Sequence, residues 1–335
     1  MNIFKTKEEY TLYVESNQST HLDSLQPSID FAIKKYILPI TGKELYDDIV
    51  AKHHANTLSG IFITLHTLLQ KCIANYATHN FIPIAEVQVS DAGITRQDGP
   101  TDKTAYKSQV QNLRDTLAER AMMYTEELIE FLETNAATLP LWTDSTQYTA
   151  YKSLFVNNGS IFAQYYSAAP YPRQLFMRLR STIADVEELI IQPLLTTEDY
   201  IGIKAARTAY PPSPEVEEES ILIKKIQPAI VNLALAKGIP DLLSTIDDNG
   251  IHILGALRAD DSTMTKRQAA DGNQIHNLAQ NFHAKATQYL DQARIFLNTT
   301  ANATSLFVNY YNQNIKEKPI DTTNINECLN GTYSM

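Results

Sequence analysis

The apolar positions of this chain recur at helical spacing. Between residues 22 and 37 they are three or four apart, which predicts a helix with one apolar stripe. Its members are Leu22, Leu25, Ile29, Ala32, Ile33, Tyr36 and Ile37. Pro39 should end this helix, because proline lacks the amide hydrogen that a helix interior needs. The mostly apolar segment 61–79 predicts a buried helix that ends before Pro83, and segment 104–133 predicts a long amphipathic helix.

A different periodicity appears between these two long helices. Residues 86–94 alternate between apolar and polar side chains and then turn near Asp91 and Gly93. Alternation with a period of two predicts a short strand, and a turn of this composition is typical of a β-hairpin. We therefore predict a short β-hairpin or strand insertion within an otherwise helical unit.

The whole pattern of predicted elements occurs twice along the chain. Pro39 and Pro193 are separated by 154 residues, and Gly93 and Gly250 by 157. The separation grows along the chain, as expected if the second copy gained short loop insertions. The repeat markers are Pro39, Tyr46, Gly93 and Trp142 in the first copy and Pro193, Tyr200, Gly250 and Phe307 in the second.

The repeat predicts the domain organisation. We expect a mainly α protein with two pseudo-repeated helical-bundle units, each carrying the short β-hairpin or strand insertion. The boundaries predicted are 1–141 for the first unit and 142–300 for the second. The remaining polar segment, 301–335, is expected to be an extended C-terminal arm.

Composition and charge argue against several classes of function and location and favour others. The chain of 335 residues contains 28 Lys and Arg and 38 Asp and Glu, which gives a net charge of −10. Without a basic cluster, charge-driven nucleic-acid binding is not expected. The N-terminus lacks the apolar core of a signal peptide, and no apolar run approaches the roughly 20 residues that cross a bilayer. Cys72 and Cys328 form no disulfide framework, which favours a reducing compartment, and Cys72 is expected to be a buried thiol.

Few residue clusters suggest chemistry. His53 and His54 are adjacent, so on a helix their side chains diverge by about 100° and do not converge on one metal ion. Glu126, Glu127 and Glu130 lie within about one helical turn, but the second copy does not keep them, so a charged outer face is the interpretation. The second copy has Asp291, Gln292 and Ile295 there. We predict no catalytic residue, no metal site and no cofactor.

Tyrosine is abundant, with 18 residues. Four of them lie in less regular segments: Tyr165, Tyr166, Tyr310 and Tyr311. Surface tyrosine favours protein contacts, so these residues are a possible interface. Local packing between helices explains them equally well.

Two stretches resemble a known class of protein. One contains Leu25-Gln-Pro-Ser-Ile-Asp-Phe-Ala-Ile-Lys-Lys-Tyr-Ile-Leu-Pro-Ile-Thr-Gly-Lys-Glu-Leu-Tyr-Asp47, and the other is Leu68-Leu-Gln-Lys-Cys-Ile-Ala-Asn-Tyr-Ala77. Their order resembles the small helical head–tail connector, or adaptor, proteins of tailed phages. The whole chain also resembles an uncharacterised family of phages and prophages of gut Bacteroidetes, which shares the Leu-Tyr-Asp block, the Val-Ser-Asp-Ala-Gly-Ile segment and a Trp after the long helix.

The resemblance implies a virion structural protein of the phage neck. Such a protein forms a homo-oligomeric ring of about twelve copies that links the portal protein to tail or neck proteins. It would lie in the virion neck, and in the host cytoplasm during assembly. DNA would pass through the lumen, without a membrane partner or sequence-specific nucleic-acid binding. The alternative is a non-enzymatic helical scaffold or binding module in the cytosol, and an enzyme is the least favoured reading.

Overall fold

A computed structural model describes most of the chain. The described residues are 2–14, 21–85, 87–90, 93–96, 106–208, 217–242, 244–247, 250–253, 272–302 and 306–316. They are predominantly helical, which confirms that the protein is mainly α. Within these ranges, none of the helices has the combined length and apolar character that crossing a bilayer requires.

The first half of the chain folds around two long helices. In order, the elements are α1 (Lys7–Thr11), α2 (Leu22–Ala32), a π-helical turn (Ile33–Ile37), α3 (Leu38–Thr41), α4 (Lys43–His54), α5 (Ile61–Ala85), β1 (Val87–Ser90), β2 (Gly93–Arg96) and α6 (Lys107–Thr134). Strands β1 and β2 pair antiparallel, with Val87 opposite Arg96. Helix α1 begins after Thr6, whose side chain accepts a hydrogen bond from the Glu9 amide.

Short helices connect the two halves. They are a 3₁₀ turn (Ala136–Thr138), α7 (Pro140–Thr143), α8 (Thr146–Lys152) and α9 (Gly159–Tyr165). The second half then continues with α10 (Pro172–Val186), a π-helical turn (Glu187–Ile191), α11 (Gln192–Leu195), α12 (Thr197–Thr208), α13 (Glu217–Leu242), β3 (Ser244–Asp247), β4 (Gly250–Ile253), α14 (Gly272–Thr300), α15 (Val308–Tyr310) and a last π turn (Tyr311–Ile315). Ser244 pairs with Ile253 in the antiparallel β3–β4 ladder. The order from α2 to α6 therefore recurs from α10 to α14.

The prolines do not end helices as predicted. Helix α2 continues through a π turn into α3, where Pro39 occupies the first turn, and Pro193 follows the second π turn in the same way. Proline lacks an amide hydrogen and its ring crowds the carbonyl four residues earlier, and a widened turn just before it relieves both problems. Helix α5 likewise continues through Pro83 to Ala85.

Helix α3 ends at a residue with positive φ, and so does α11. Gly42 has φ 76° and ψ 160°, and Thr196 has φ 74° and ψ 151° at the equivalent position. This region suits glycine, because a Cβ atom is crowded there. The chain direction therefore changes in the same way in both halves, although only the first has the residue that does so without strain.

Buried side chains form two hydrophobic clusters. The first runs from Ile3 to Trp142 and the second from Tyr151 to Tyr310. Trp142, the first residue of the predicted second unit, belongs instead to the first cluster, where it is 1% exposed. Its indole Nε1 donates to the Ile40 carbonyl at 3.0 Å, so burial and a hydrogen bond hold it there.

The predicted C-terminal arm is wrong for its first part. Phe307 is 7% exposed and Tyr310 is 4% exposed, and both belong to the second cluster. The Asp199 carboxylate accepts from the Tyr310 amide at 2.8 Å. Aromatic burial and this hydrogen bond hold the segment against α12, and residues 317–335 lie outside the described part of the chain.

Both cores contain the same polar contacts. Gln70 donates to the Ile3 carbonyl and accepts from the Tyr13 hydroxyl. At the equivalent position, Gln227 donates to a backbone carbonyl and accepts from a tyrosine hydroxyl. Its partners are Phe155 and Tyr165. Buried amides are retained where every polar atom finds a partner, so these glutamines hold equivalent loops against α5 and α13.

Candidate functional site

The two halves meet at Arg173, in the first turn of α10. Its guanidinium lies among three glutamates of α6: Nη2 is 2.9 Å from Glu130, Nη1 is 3.4 Å from Glu126, and Nε is 3.7 Å from Glu133. The Arg173 side chain is only 17% exposed. A partly buried guanidinium held by several carboxylates forms strong, directional contacts, so this cluster joins the two halves.

Glu126 also caps the N-terminus of α10. Its carboxylate accepts from the backbone amides of Arg173 at 2.9 Å and Gln174 at 3.2 Å. These amides are among the groups that a helix leaves unpaired at its first turn, and the helix dipole favours a negative charge there. One carboxylate of the first half thereby completes a helix of the second.

Glu133 fixes the start of α9. It accepts from the Gly159 amide at 2.6 Å and from the Ser160 hydroxyl at 3.1 Å. Burial raises the pKa of Glu133, against the opposing effect of these hydrogen bonds and of Arg173. Any side chain at Gly159 would collide with Arg173, whose Cβ would be 2.7 Å from the added atom.

The interpretation of the α6 glutamates as an outer face is therefore wrong for Glu126, which is largely buried at the junction. Glu130 contacts Arg173 at the edge of the junction, while Glu127 is exposed to solvent. Arg173 could not be identified from the sequence, because its three glutamate partners lie 40 or more residues away. Glu126 and Glu130 have a structural role in the first copy, because α6 packs against α10 and Arg173 pairs with both carboxylates.

A second polar group lies in the first core. The His66 ring packs 4.1 Å from the His53 ring, and His53 Nε2 lies 3.3 Å from the Glu9 carboxylate. Burial, together with neighbouring His53, lowers the pKa of His66 to about 4. His54 instead contacts the Asn2 carbonyl at 2.8 Å. Over the described residues, no group of three or more His, Cys, Asp or Glu is arranged to hold a metal ion.

The predicted interface tyrosines differ in their surroundings. Tyr165 and Tyr166 are partly buried against the second core, and the Tyr165 hydroxyl donates to Gln227 at 3.1 Å. Tyr310 is buried and donates to Asn298 at 2.7 Å, so the structure assigns it to the core. Tyr311 is partly buried beside it. An interface role for the three partly buried tyrosines stays a prediction.

The repeat markers lie at equivalent places. Tyr46 and Tyr200 are 5% and 9% exposed, in α4 and α12 respectively. Gly93 begins β2 and Gly250 begins β4. Phe307, like its counterpart Trp142, is buried.

Cys72 is a buried thiol, as predicted. It is completely buried in α5, and the Thr125 hydroxyl donates to its sulfur at 3.9 Å. Burial raises the pKa of the Cys72 thiol to about 12, so the sulfur is protonated and unreactive at neutral pH. Cys328 lies outside the described residues.

Comparison with known proteins agrees with the internal repeat. Residues 37–152 and 191–318 both match one family, described as a family of unknown function (DUF6712), and together they span more than half of the chain. The chain belongs to the DUF6712 family. The two DUF6712 segments begin 154 residues apart, each at the last residue of a π turn, Ile37 or Ile191. No curated protein and no solved structure is significantly similar to the chain.

Proposed function

We propose that this DUF6712 protein is a structural protein of the phage neck, forming a ring that links the portal to the tail. Each chain contributes two helical units, copies of one bundle with a short strand insertion, and acts through assembly, without catalysis. It is found in the virion, and in the host cytoplasm before assembly. The connector resemblance of the first 80 residues motivates the proposal.

The junction at Arg173 supports it mechanically. A ring subunit must keep a fixed angle between its parts, or neighbouring copies cannot close. Glu126 and Glu133 are largely buried and accept hydrogen bonds from backbone amides of the second unit. These contacts make the two units one wedge instead of two bodies on a flexible linker.

The observation that carries the proposal is a difference in solvent exposure between equivalent helix faces of the two units. In the first unit, Ile129 on α6 is 2% exposed, and α6 packs against α10 of the second unit. The equivalent residue on α14 is Arg294, whose side chain is 55% exposed, and its neighbour Ile295 is 64% exposed. Within the part of the chain that the structure describes, these α14 residues thus form an exposed counterpart of the α6 face that contacts the second unit.

An open counterpart of an internal interface suits head-to-tail association. One copy's α14 face would receive the next copy's first unit, as α6 receives the second unit within a chain. Such heterologous contacts close into rings when the rotation between neighbours is suitable. The acidic composition fits a lumen through which DNA slides without binding.

The test is the mass of the full-length protein in solution. Light scattering and negative-stain images, recorded with and without portal protein, should show rings of about twelve copies, or rings that form only when portal is added. A protein that stays monomeric and does not bind the portal protein would overturn the proposal and favour the cytosolic scaffold alternative.

A pair of variants locates the ring contact. Ile295→Glu places a charge on the open α14 face and should abolish the large species. The control is Ile201→Glu on α12, where Ile201 is 58% exposed. Equal behaviour of the two variants would argue against α14 as the contact.

A further inference from the structure

A small cleft lies beside the junction. Its volume is about 210 Å³, and residues of both halves line it. The first half contributes Lys35, Tyr36 and Tyr76, and the second contributes Met177, Arg178 and Arg180. Neither the resemblance nor the neck proposal assigns it a role.

The cleft is positively charged although the chain is acidic. Lys35, Arg178 and Arg180 are its ionisable cations, and none of the described residues that line it is Asp or Glu. The nearby carboxylate of Glu126 is already engaged by Arg173 and Gln174. Three cations without an acid in a chain of net charge −10 form a local site for an anion.

Arg180 brings a third cation to the cleft. The residue is partly exposed and lines the cleft, although its Nη1 atom is buried and has no hydrogen-bond partner among the described residues. An anion in the cleft would supply the charge opposite to this guanidinium.

The wall of the cleft is apolar and aromatic. The Tyr36 and Tyr76 rings stack 3.9 Å apart at an interplanar angle of 10°, and Lys35 Nζ lies 5.3 Å from the Tyr36 ring centre. The volume is below the roughly 300–1,000 Å³ of sites for drug-sized ligands. A nucleotide is therefore too large, whereas one ring or short alkyl chain with an acidic group fits.

The fold itself does not require these residues. By the repeat spacing, the second half has Leu189 and Ile190 at the positions of Lys35 and Tyr36, and Leu233 at the position of Tyr76. Apolar side chains thus build the same elements there. The cation and the tyrosine pair are features of this cleft alone.

We propose that the cleft binds a small organic anion, a carboxylate or phosphate attached to an aromatic or short aliphatic group. The guanidinium groups of Arg180 and Arg178 and the Lys35 ammonium supply the positive charge that attracts the anion. The apolar part rests against the tyrosine pair and Met177. This inference is independent of ring formation, because the cleft lies within one chain.

Calorimetric titration of the full-length protein tests the proposal. Phenylacetate and phenyl phosphate are the probes, benzyl alcohol tests the ring without charge, and inorganic phosphate tests charge without the ring. Phenylacetate, phenyl phosphate or both should bind, more weakly as salt rises, and the other two compounds should bind at least tenfold more weakly. No binding of either aromatic anion at millimolar concentration would overturn the proposal.

Adjacent lysines provide a matched control. Lys35 lines the cleft, whereas its exposed neighbour Lys34 does not. Lys35→Gln should weaken phenyl phosphate or phenylacetate binding several-fold, and Lys34→Gln should leave it unchanged. An equal effect of both would show that binding reflects general charge and would contradict a specific site.

Arg180→Gln gives a second readout that needs no ligand. Binding should fall at least tenfold, because one of the three cations of the cleft is removed. Thermal stability of the free protein should hold or rise, because the buried Nη1 donor, which has no hydrogen-bond partner among the described residues, is removed with it. A large loss of stability would show that Arg180 is a structural residue. Retained binding by a folded Arg180→Gln variant would also overturn the proposal.

Discussion

Lys204 forms an ion pair with the fully buried carboxylate of Glu187, with Nζ and Oε2 2.8 Å apart. The first unit has Val50 and Ile33 at the equivalent positions, both buried. The other Glu187 oxygen accepts from the Phe155 amide at 2.7 Å. The second unit thus has an ion pair where the first has two buried apolar side chains, and Glu187 also holds the loop before α9.

Removing Lys204 alone should be strongly destabilising. Lys204→Met keeps the aliphatic stem but leaves the Glu187 carboxylate unpaired, which costs about 3–5 kcal/mol at neutral pH. Burial raises the pKa of Glu187, so the carboxyl is neutral at lower pH and the loss should shrink on acidification. Chemical denaturation at several pH values measures both effects.

The double variant Glu187→Gln/Lys204→Met separates charge from packing. Glutamine still accepts the Phe155 amide hydrogen, and no buried charge remains, so most of the lost stability should return. A double variant as unstable as Lys204→Met would mean that the lysine acts by packing over Phe155 and Tyr200, near whose rings its ammonium lies.

Thr196→Gly should stabilise the protein by about 1 kcal/mol. Thr196 has φ 74°, a conformation that costs a residue with a side chain about 1–3 kcal/mol. Glycine removes this strain, but part of the gain is lost because glycine loses more backbone entropy on folding. Thermal denaturation measures the change. An unchanged or lower melting temperature would show that the buried threonine side chain outweighs the strain.

Gly42→Ala should destabilise by about 1–3 kcal/mol, because its φ is 76° and the added Cβ would lie 3.1 Å from that of Ser145. Gly202→Ala is the matched control. Gly202 lies in α12 with open space around it, so alanine should be neutral or stabilise by up to about 1 kcal/mol. Equal effects of the two variants would contradict this explanation.

Arg173→Met should loosen the junction. It leaves Glu126 and Glu133 largely buried beside an apolar side chain, at a cost of about 1–3 kcal/mol, and should separate the unfolding of the two units into distinct steps. Calorimetry and limited proteolysis of residues 135–172 report the change.

The exposed pair of Arg294 and Asp291 provides the control for the junction. Both side chains are more than half exposed, so Arg294→Met should change stability by less than about 1 kcal/mol. A single unfolding step for Arg173→Met, at the wild-type temperature, would show that apolar packing alone holds the units together.

The first unit should lose stability in acid. Burial lowers the pKa of His66 to about 4 from 6.5, so the folded state binds its proton less readily than the unfolded state. The stability is therefore present above pH 6.5 and is lost as the pH falls towards 4, by up to about 3 kcal/mol at 1.36 kcal/mol per pKa unit. Denaturation at pH 7, 5.5 and 4 measures this slope.

His66→Gln should flatten the acid slope, because glutamine does not titrate in this range. His276→Gln, at an exposed histidine of α14, should leave the slope unchanged. If His66→Gln kept the full slope, the acid sensitivity would have to come from other groups.

Much of the secondary structure could be predicted because it depends on local information. Helical spacing of apolar residues indicated α2, α5 and α6. The repeat was also visible in the sequence, since matched residues at regular separation survive where the fold needs them. None of this required knowing which helices touch.

The tertiary structure decided everything that depends on distant partners. Pro39 lies within a continuous helical path because a π turn precedes it. Trp142 belongs to the first core because the Ile40 carbonyl and the surrounding apolar side chains lie there. Glu126 could not be distinguished from a solvent-facing glutamate, since its partner Arg173 lies 47 residues away. The sequence thus determined the helices and their repetition, through spacing that acts over a few residues. Only packing determined the junction and the cleft beside it, because the energy of a buried charge depends on what the fold places next to it.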